Sequence, residues 1–332
     1  MSAARAGENR VLVTGGAGFI GSHVVAELLR RGASVTVLDD LSSGSVANLP
    51  SDPRVTLRVG DICTPADVAA ALDGCRRVVH LAAIASVQRS VEDPEGTHRV
   101  NYSATRALWE AARRAGVERV VFASSAAVYG DAAASPVDEK APADPQTPYA
   151  RDKLMGEGAL HEVCAPGGLQ AVALRFFNVY GPRQRADSPY SGVISQFLRH
   201  VREGRTVTIF GDGKQTRDFV FVGDVARVVV GLTLRDQAPR TPVLNVGSGI
   251  STSVLKLLEV VEGCLGASAT VRFEPGRPGE VRHSLAAVEC LGHEFGWLPN
   301  TPLARGIALT ANGHASVDEQ RTDAPRLVRT ID

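Results

Sequence analysis

Apolar and polar positions along the first half of the chain follow two alternating rhythms. Short apolar runs predict strands at 11–13, 35–38, 55–59, 78–81, 119–123 and 171–174. Between them, 20–31 sets Ile20, Val24, Val25, Leu28 and Leu29 on one side of a helix, and further helices are predicted near 98–115 and from 147 onward. Strands that alternate with helices make βαβ crossovers, hence a parallel sheet covered on both faces.

After about residue 178 the rhythm breaks. Gly181-Pro182 marks a turn, and a helix at 193–202 and a strand at 207–210 follow. Gly211, Gly213, Pro242, Gly247, Gly249, Pro275 and Pro278 then punctuate the chain. The organisation predicted is an α/β, Rossmann-type doubly wound parallel sheet over residues 9–178, with 218–246 returning to it. A smaller C-terminal α/β lobe at 179–217 and 247–312 binds substrate, and the polar, aperiodic stretch 313–332 reads as a loose tail. No internal repeat and no low-complexity linker separates the lobes.

Composition narrows the function classes. The 332 residues hold 36 Lys+Arg and 36 Asp+Glu, so the formal charge is zero, against the basic surface that a sequence-independent grip on nucleic acid needs. Apolar residues make up 44% and charged residues 22%, an ordinary globular mix. No apolar run approaches the ~18 residues of a membrane span, and the first ten residues lack the apolar stretch of a signal peptide. The five cysteines are scattered, with no CxxC pair and no histidine at metal-ligand spacing. They read as reduced thiols of a cytoplasmic protein with no metal.

The first turn carries the strongest local chemistry. Thr14-Gly15-Gly16-Ala17-Gly18-Phe19-Ile20-Gly21 lies between the first strand and the first helix. Glycines there allow a tight turn and let backbone approach a pyrophosphate, while the helix N-terminus offers free N–H groups and a positive dipole end. Asp39 ends the second strand, 18 residues past Gly21, and Asp40 follows with no arginine nearby. A carboxylate there accepts from the ribose hydroxyls and repels a 2′-phosphate, so NAD is expected rather than NADP.

Tyr149 and Lys153 stand at i and i+4 on the predicted helix from 147, hence on one face. An ammonium beside a phenol favours the phenolate and lowers its pKa from ~10, which suits a tyrosine that takes a proton from a substrate hydroxyl. Tyrosine and lysine meet at this spacing by chance in many helices. The pair gains weight from the strand upstream, which ends in Ala123-Ser124-Ser125 and offers a hydroxyl to the reacting oxygen.

Taken together, TGGAGFIGS (14–22), GDI (60–62), HLAA (80–83), SSAAVYG (124–130), YARDK (149–153), RFFNVYGPRQ (175–184), GDGKQTRDFVFVGDVA (211–226) and RPGEVRHS (277–284) resemble the extended short-chain dehydrogenase/reductase family, and within it the bacterial nucleotide-sugar epimerases. The resemblance covers roughly residues 10–310. It implies that Gly15, Gly18, Phe19, Ile20, Gly21, Asp39 and Asp40 hold NAD, that Asp61 and Ile62 border the adenine, and that Leu81, Ala82 and Ala83 line the cofactor. It makes Ser125, Tyr149 and Lys153 the catalytic set. It places Ser86, Ser124, Asn178, Val193 and Phe210 around a UDP-sugar, with Arg217 and Arg277 on the diphosphate and Glu280 on a ribose. Guanidinium forks suit phosphate. The resemblance also implies a homodimer through a four-helix bundle, and Leu108, Trp109, Ala112, Leu154, Met155 and Leu160 of the helices near 98–115 and 147–164 are its expected contacts.

Departures from the family pattern choose among its reactions. Sugar 4,6-dehydratases carry an acid pair just after the catalytic hydroxyl, and decarboxylases usually place a glutamate there, where this chain has Ala126 and Ala127. Elimination then lacks its acid and base. What remains is 4-epimerisation through a 4-keto intermediate or reduction of a 4-keto sugar, with a non-catalytic NAD sensor as a rival of another class. Asn178 and the segment 85–90 resemble the epimerases of neutral and N-acetylated hexoses, whereas Arg185 stands where uronate epimerases use an arginine for the carboxylate. The neutral UDP-hexose is preferred, with UDP-glucuronate as the alternative.

Overall fold

The computed structural model describes residues 10–131, 135–165, 167–185, 192–276 and 281–321, with side chains described as far as 313. Its first half runs β1 (Arg10–Thr14), α1 (Phe19–Arg30), β2 (Ser34–Asp39), β3 (Val55–Val59), α2 (Pro65–Leu72), β4 (Arg77–His80), α3 (Val87–Glu92), α4 (Pro94–His98), α5 (Thr105–Arg114), β5 (Arg119–Ser125), α6 (Pro148–Cys164) and β6 (Gln170–Phe176). These strands, with β10 (Val243–Val246), form one seven-stranded parallel sheet in the order β10-β6-β5-β4-β1-β2-β3.

Period two explains why the strands are apolar throughout. Val11 and Val13 join the core beneath α1 and α8 (Val222–Leu234), while Leu12 joins the core beneath α2, α5 and α6. Val79 and Val78 divide in the same way, as do Val121 and its neighbours Val120 and Phe122. A strand buried on both faces has no polar side to show. β1 is flanked by β2 on one side and β4 on the other, so the crossovers run outward in both directions from it. The crevice at that reversal, outside the carboxyl ends of the strands, is where doubly wound sheets bind ligands.

The second half adds β7 (Asn178–Tyr180), α7 (Val193–Arg202), β8 (Val207–Phe210), β9 (Thr216–Phe221), β11 (Ser251–Ser253), α9 (Val254–Leu265), β12 (Val271–Glu274), α10 (Glu289–Phe295) and α11 (Leu303–Arg321). β11-β9-β7 and β12-β8 make two small sheets over a core of their own, which includes Ile194, Phe197, Leu198, Val207, Ile209, Leu257 and Ile307. α8 lies against the large sheet and β10 completes its edge beside β6.

Three local expectations change. The single helix expected at 98–115 is broken: α4 ends at His98, Arg99–Ala104 forms a π turn, and α5 begins at Thr105. Asn101 in that turn accepts from the Ile84 amide and donates to the Ile84 carbonyl, so the turn serves the loop after β4. The stretch expected to be a loose tail from 313 is entered by α11, which continues to Arg321; residues 322–332 lie outside the described residues. Finally, Leu108, Trp109, Ala112 and Leu160, expected as dimer contacts, are buried in the core of their own chain, and of the six only Met155 is exposed, at 42%. No helix among the described residues is long and apolar enough to cross a membrane.

Candidate active site

A cavity of about 680 Å³ opens over the carboxyl ends of the strands. One wall is the glycine loop. Gly15 has φ +68°, and a Cβ there would stand 2.8 Å from the Ala82 nitrogen. A Cβ on Gly21 would stand 2.1 Å from the Gly15 carbonyl oxygen, so only glycine lets α1 start this close to the turn. The α1 N-cap, Gly18, supplies no side-chain hydrogen bond, which leaves the first amides of the helix to the cavity.

Asp39 closes this end. Its carboxylate is buried and accepts from the Ala17 and Leu41 amides at 2.9 Å each, so it fixes the glycine loop as well as facing the cavity. Asp40 is exposed and accepts from Ser42. Asp61 and Ile62 sit further along, the former exposed and the latter buried. Leu81, Ala82 and Ala83 form the floor. Their placement depends on His80, whose buried ring meets the Thr14 hydroxyl at 2.6 Å and the Thr105 hydroxyl at 2.9 Å. Burial pushes His80 down to about 3, with the Lys153 charge acting in the same direction, so the ring is a neutral strut between β1, β4 and α5.

The catalytic candidates meet in mid-cavity. β5 delivers Ser124 and Ser125, and α6, started by Pro148 and capped by the Thr147 hydroxyl on the Ala150 amide, delivers Tyr149 and Lys153 one turn apart. Tyr149 and Ser125 both line the cavity, and the Ser125 hydroxyl lies near enough to hold the phenol down. Lys153 Nζ donates to the Ala123 carbonyl at 2.8 Å and lies 5.8 Å from the Tyr149 ring centroid. The electrostatics differ from the expectation that Lys153 lowers the tyrosine. Burial raises the Tyr149 phenol and the Ser125 hydrogen bond opposes that rise. Burial also brings Lys153 down to about 8, while Asp152 and Glu157 hold it up. Ser124 supports the frame of the site rather than its centre. Its hydroxyl donates to Glu157, which is paired at 2.7 Å with Arg175, both side chains being buried. Breaking a buried pair of this kind costs about 3–5 kcal/mol.

Asn178 and Val193 line the far end with Gln184, Gly192 and Ile194. Three expected substrate residues do not line the cavity. Ser86 caps α3 by accepting from the Arg89 amide at 3.0 Å. Phe210 is half-buried at the end of β8. The Arg217 guanidinium donates to the Thr216 and Arg282 carbonyls at 2.9 and 3.4 Å. Arg277 and Glu280 lie outside the described residues. In the other direction, Ser42, Ser43, Ile84, Asp93 and Arg99 line the cavity although no sequence motif points to them, and so do Phe177, inside the 175–184 motif, and Arg89, inside the 85–90 segment. Ser42 and Ser43 follow closely on Asp40 and are readable from that adjacency. Arg89, Asp93 and Arg99 belong to the run of short helical segments after β4.

Residues 11–247 match the NAD dependent epimerase/dehydratase family. This chain belongs to that family. A UDP-glucose 4-epimerase of Mycolicibacterium smegmatis is 41% identical over 307 residues, covering 91% of this chain and 97% of the relative. A UDP-N-acetylglucosamine 4-epimerase of Methanobrevibacter ruminantium M1, solved in complex with UDP-N-acetylmuramic acid, superposes with a TM-score of 0.88 at 36% identity, covering 93% of this chain and 99% of that one. MoeE5, solved with NAD and either UDP-glucuronic acid or UDP-glucose, superposes with a TM-score of 0.83 at 36% identity, over 93% and 99% of the two chains. The family is NAD-dependent, and the glycine loop, the uncapped helix start and Asp39 suit a dinucleotide with a free adenosine ribose.

Proposed function

We propose that this chain interconverts the C4 epimers of a neutral UDP-hexose, either UDP-glucose and UDP-galactose or their N-acetylamino counterparts. The observation that carries the reading is the pairing of Tyr149 with Ser125 beside Lys153, with Ala126 and Ala127 following Ser125 where elimination needs a carboxylate. NAD, when bound along the glycine loop, supplies the hydride acceptor and donor for C4. Tyr149 takes the proton of the 4-hydroxyl and later returns one to the same oxygen, which leaves net redox at zero. Ser125 donates to that oxygen and keeps it within reach of the phenol. Lys153, held by the Ala123 carbonyl, places a cation beside the phenolate, the form in which Tyr149 accepts the proton. The 4-keto sugar turns about its diphosphate to present the other face.

The diphosphate is assigned to Arg217 and Arg277, with Glu280 on a ribose. The two carbonyl bonds engage Nη1 of Arg217, and a guanidinium has further donors on Nε and Nη2 of the kind that suit phosphate. Val193 and Phe210 are assigned to the nucleoside side and Asn178 to the sugar. Arg185 is exposed and is not among the cavity-lining residues, which favours a neutral C6 over a carboxylate. A homodimer remains part of the reading; its contacts are the outward sides of α5 and α6, including Met155, rather than the core residues Leu108, Trp109, Ala112 and Leu160. Incubation of purified protein with a panel of UDP-sugars and no added reductant tests the reaction. Formation of the C4 epimer of a neutral sugar is expected. Turnover only with external NAD(P)H would mark a 4-ketoreductase, and no turnover on any member of the panel would favour a sensor.

A further inference from the structure

His23 is half-buried near the start of α1, one turn after Phe19, and takes no part in the chemistry above. Its Nε2 lies 3.0 Å from the carbonyl oxygen of Pro182, 159 residues away in sequence. A carbonyl only accepts, so Nε2 carries the proton and His23 is the donor. The Phe19 ring packs edge-on against the imidazole, with centroids 6.2 Å apart. Phe19 itself lines the cavity.

Pro182 belongs to the turn that leaves β7 on the way to α7. On one side of it stand Asn178, Val179 and Tyr180, on the other Gly192, Val193 and Ile194, and all six line the cavity. The next residue, Arg183, has φ +67°, a left-handed conformation that a residue with a Cβ adopts only when its surroundings impose it. One residue further, Gln184 lines the cavity, accepts from the Ser195 hydroxyl at 3.3 Å and donates to the Val179 carbonyl at 3.4 Å. A Cβ on Gly313 would stand 2.7 Å from the proline Cβ, so α11 backs the turn closely. The turn is thus in contact with both α11 and the helix that faces the cofactor end, and the His23 hydrogen bond joins it to the latter.

We propose that His23 is a positioning residue for the UDP-sugar: it fixes the wall formed by Asn178, Val179, Gln184 and Val193 at a set distance from the glycine-loop wall. Epimerisation asks this of the fold, because C4 must meet the cofactor at reacting distance from both faces of the sugar. The proposal rests on the epimerase reading for its kinetic consequence, but not for its structural one. Burial pushes the imidazole down to about 4, against the opposing effect of the Pro182 bond, and the Arg183 charge adds to the lowering. The ring therefore stays a neutral donor at ordinary pH, and the link does not titrate with the reaction.

The test compares His23→Leu, which removes the donor, with His23→Gln, whose amide reaches as far as Nε2; His23→Asn, polar but short, replaces the leucine variant should that one not fold. On purified holoenzyme, bound NAD per chain, kcat and KM for UDP-glucose, and hydrogen exchange of the peptide spanning 179–185 are measured. The expected result for His23→Leu is NAD content within about twofold of wild type, KM raised about tenfold with kcat changed less, and faster exchange at 179–185 but not at the 15–22 amides. His23→Gln should lie within about twofold of wild type on every measure. Equal impairment of the two variants would overturn the proposal. So would loss of NAD with KM unmoved in the remaining holoenzyme, or unchanged exchange at 179–185. Wild-type protein inactive on every UDP-sugar would count against the epimerase reading alone, and hydrogen exchange would still decide the role of His23.

Discussion

At the Asp39 end of the cleft the wall is backbone: the glycine turn, the first amides of α1, and a carboxylate that the strand delivers to the same spot. At the Asn178 end the wall is side chain, gathered from β7, the turn at Gly181–Gln184 and the start of α7. In the proposed reading the first end takes a part of NAD that does not vary, so its geometry can be fixed by glycines whose added Cβ would collide with a neighbouring main chain. In the same reading the second faces the part of the substrate that distinguishes one sugar from another. It is assembled from loops that tolerate change. Tyr149, Ser125 and Lys153 stand between the two.

The largest effect is expected at that junction. Tyr149→Phe should retain NAD and the fold yet lose at least ~100-fold in kcat, the low end of general acid–base contributions. A rate near wild type would remove Tyr149 from the mechanism. Next comes the backbone end: Asp39→Ala removes a charged acceptor from two amides and from the ribose. Hydrogen bonds to charged groups contribute about 1.5–3 kcal/mol, so NAD retention should weaken roughly tenfold or more, with a lowered melting temperature. Retained NAD and unchanged melting would show that Asp39 serves neither role.

Legibility in the sequence follows the same division. The strand runs around Leu12, Val37, Val79 and Val121 announce a sheet buried on both faces, and Gly15, Gly18 and Gly21 announce the phosphate turn, because local spacing alone determines both. The π turn at Arg99–Ala104 is not legible: Asn101 distorts a helix in order to hold Ile84, a tertiary demand without local sign. The motif residues Leu81–Ala83 are readable, but the strut that seats them, His80 between Thr14 and Thr105, joins three distant segments. Spacing alone does not part Ser124 from Ser125; the family resemblance names Ser125 as the catalytic one. β5 gives the physical reason by sending one hydroxyl to Glu157 and the other toward Tyr149. Leu108, Trp109 and Ala112 are apolar on a helix face, which by itself does not tell a core from a dimer contact.

Smaller effects sharpen the middle and the far end. Lys153 is drawn to about 8 chiefly by burial. Its charge is present below that pH and lost above it, so kcat/KM should fall on the alkaline side with a midpoint near about 8. Activity that stays flat through that range would contradict a required ammonium. The smallest effect is expected from Arg185→Ala, which should change kcat/KM for UDP-glucose by less than about twofold, as befits an exposed side chain outside the cavity lining. A wild-type preference for UDP-glucuronate of about tenfold or more, roughly 1.4 kcal/mol in transition-state binding, together with its loss in Arg185→Ala, would reverse the substrate assignment.

In the proposed reaction C4 is oxidised and reduced again inside one cleft, with Tyr149 handling the proton and nothing exchanged with solvent at carbon. UDP-glucose deuterated at C4, incubated with the purified protein in ordinary water without added cofactor, tests this most directly. The expected product is UDP-galactose that keeps its deuterium at C4, with the protein's NAD content unchanged at the end. Epimer that has lost the deuterium to solvent, or product that forms only in proportion to added NAD(P)H, would contradict it.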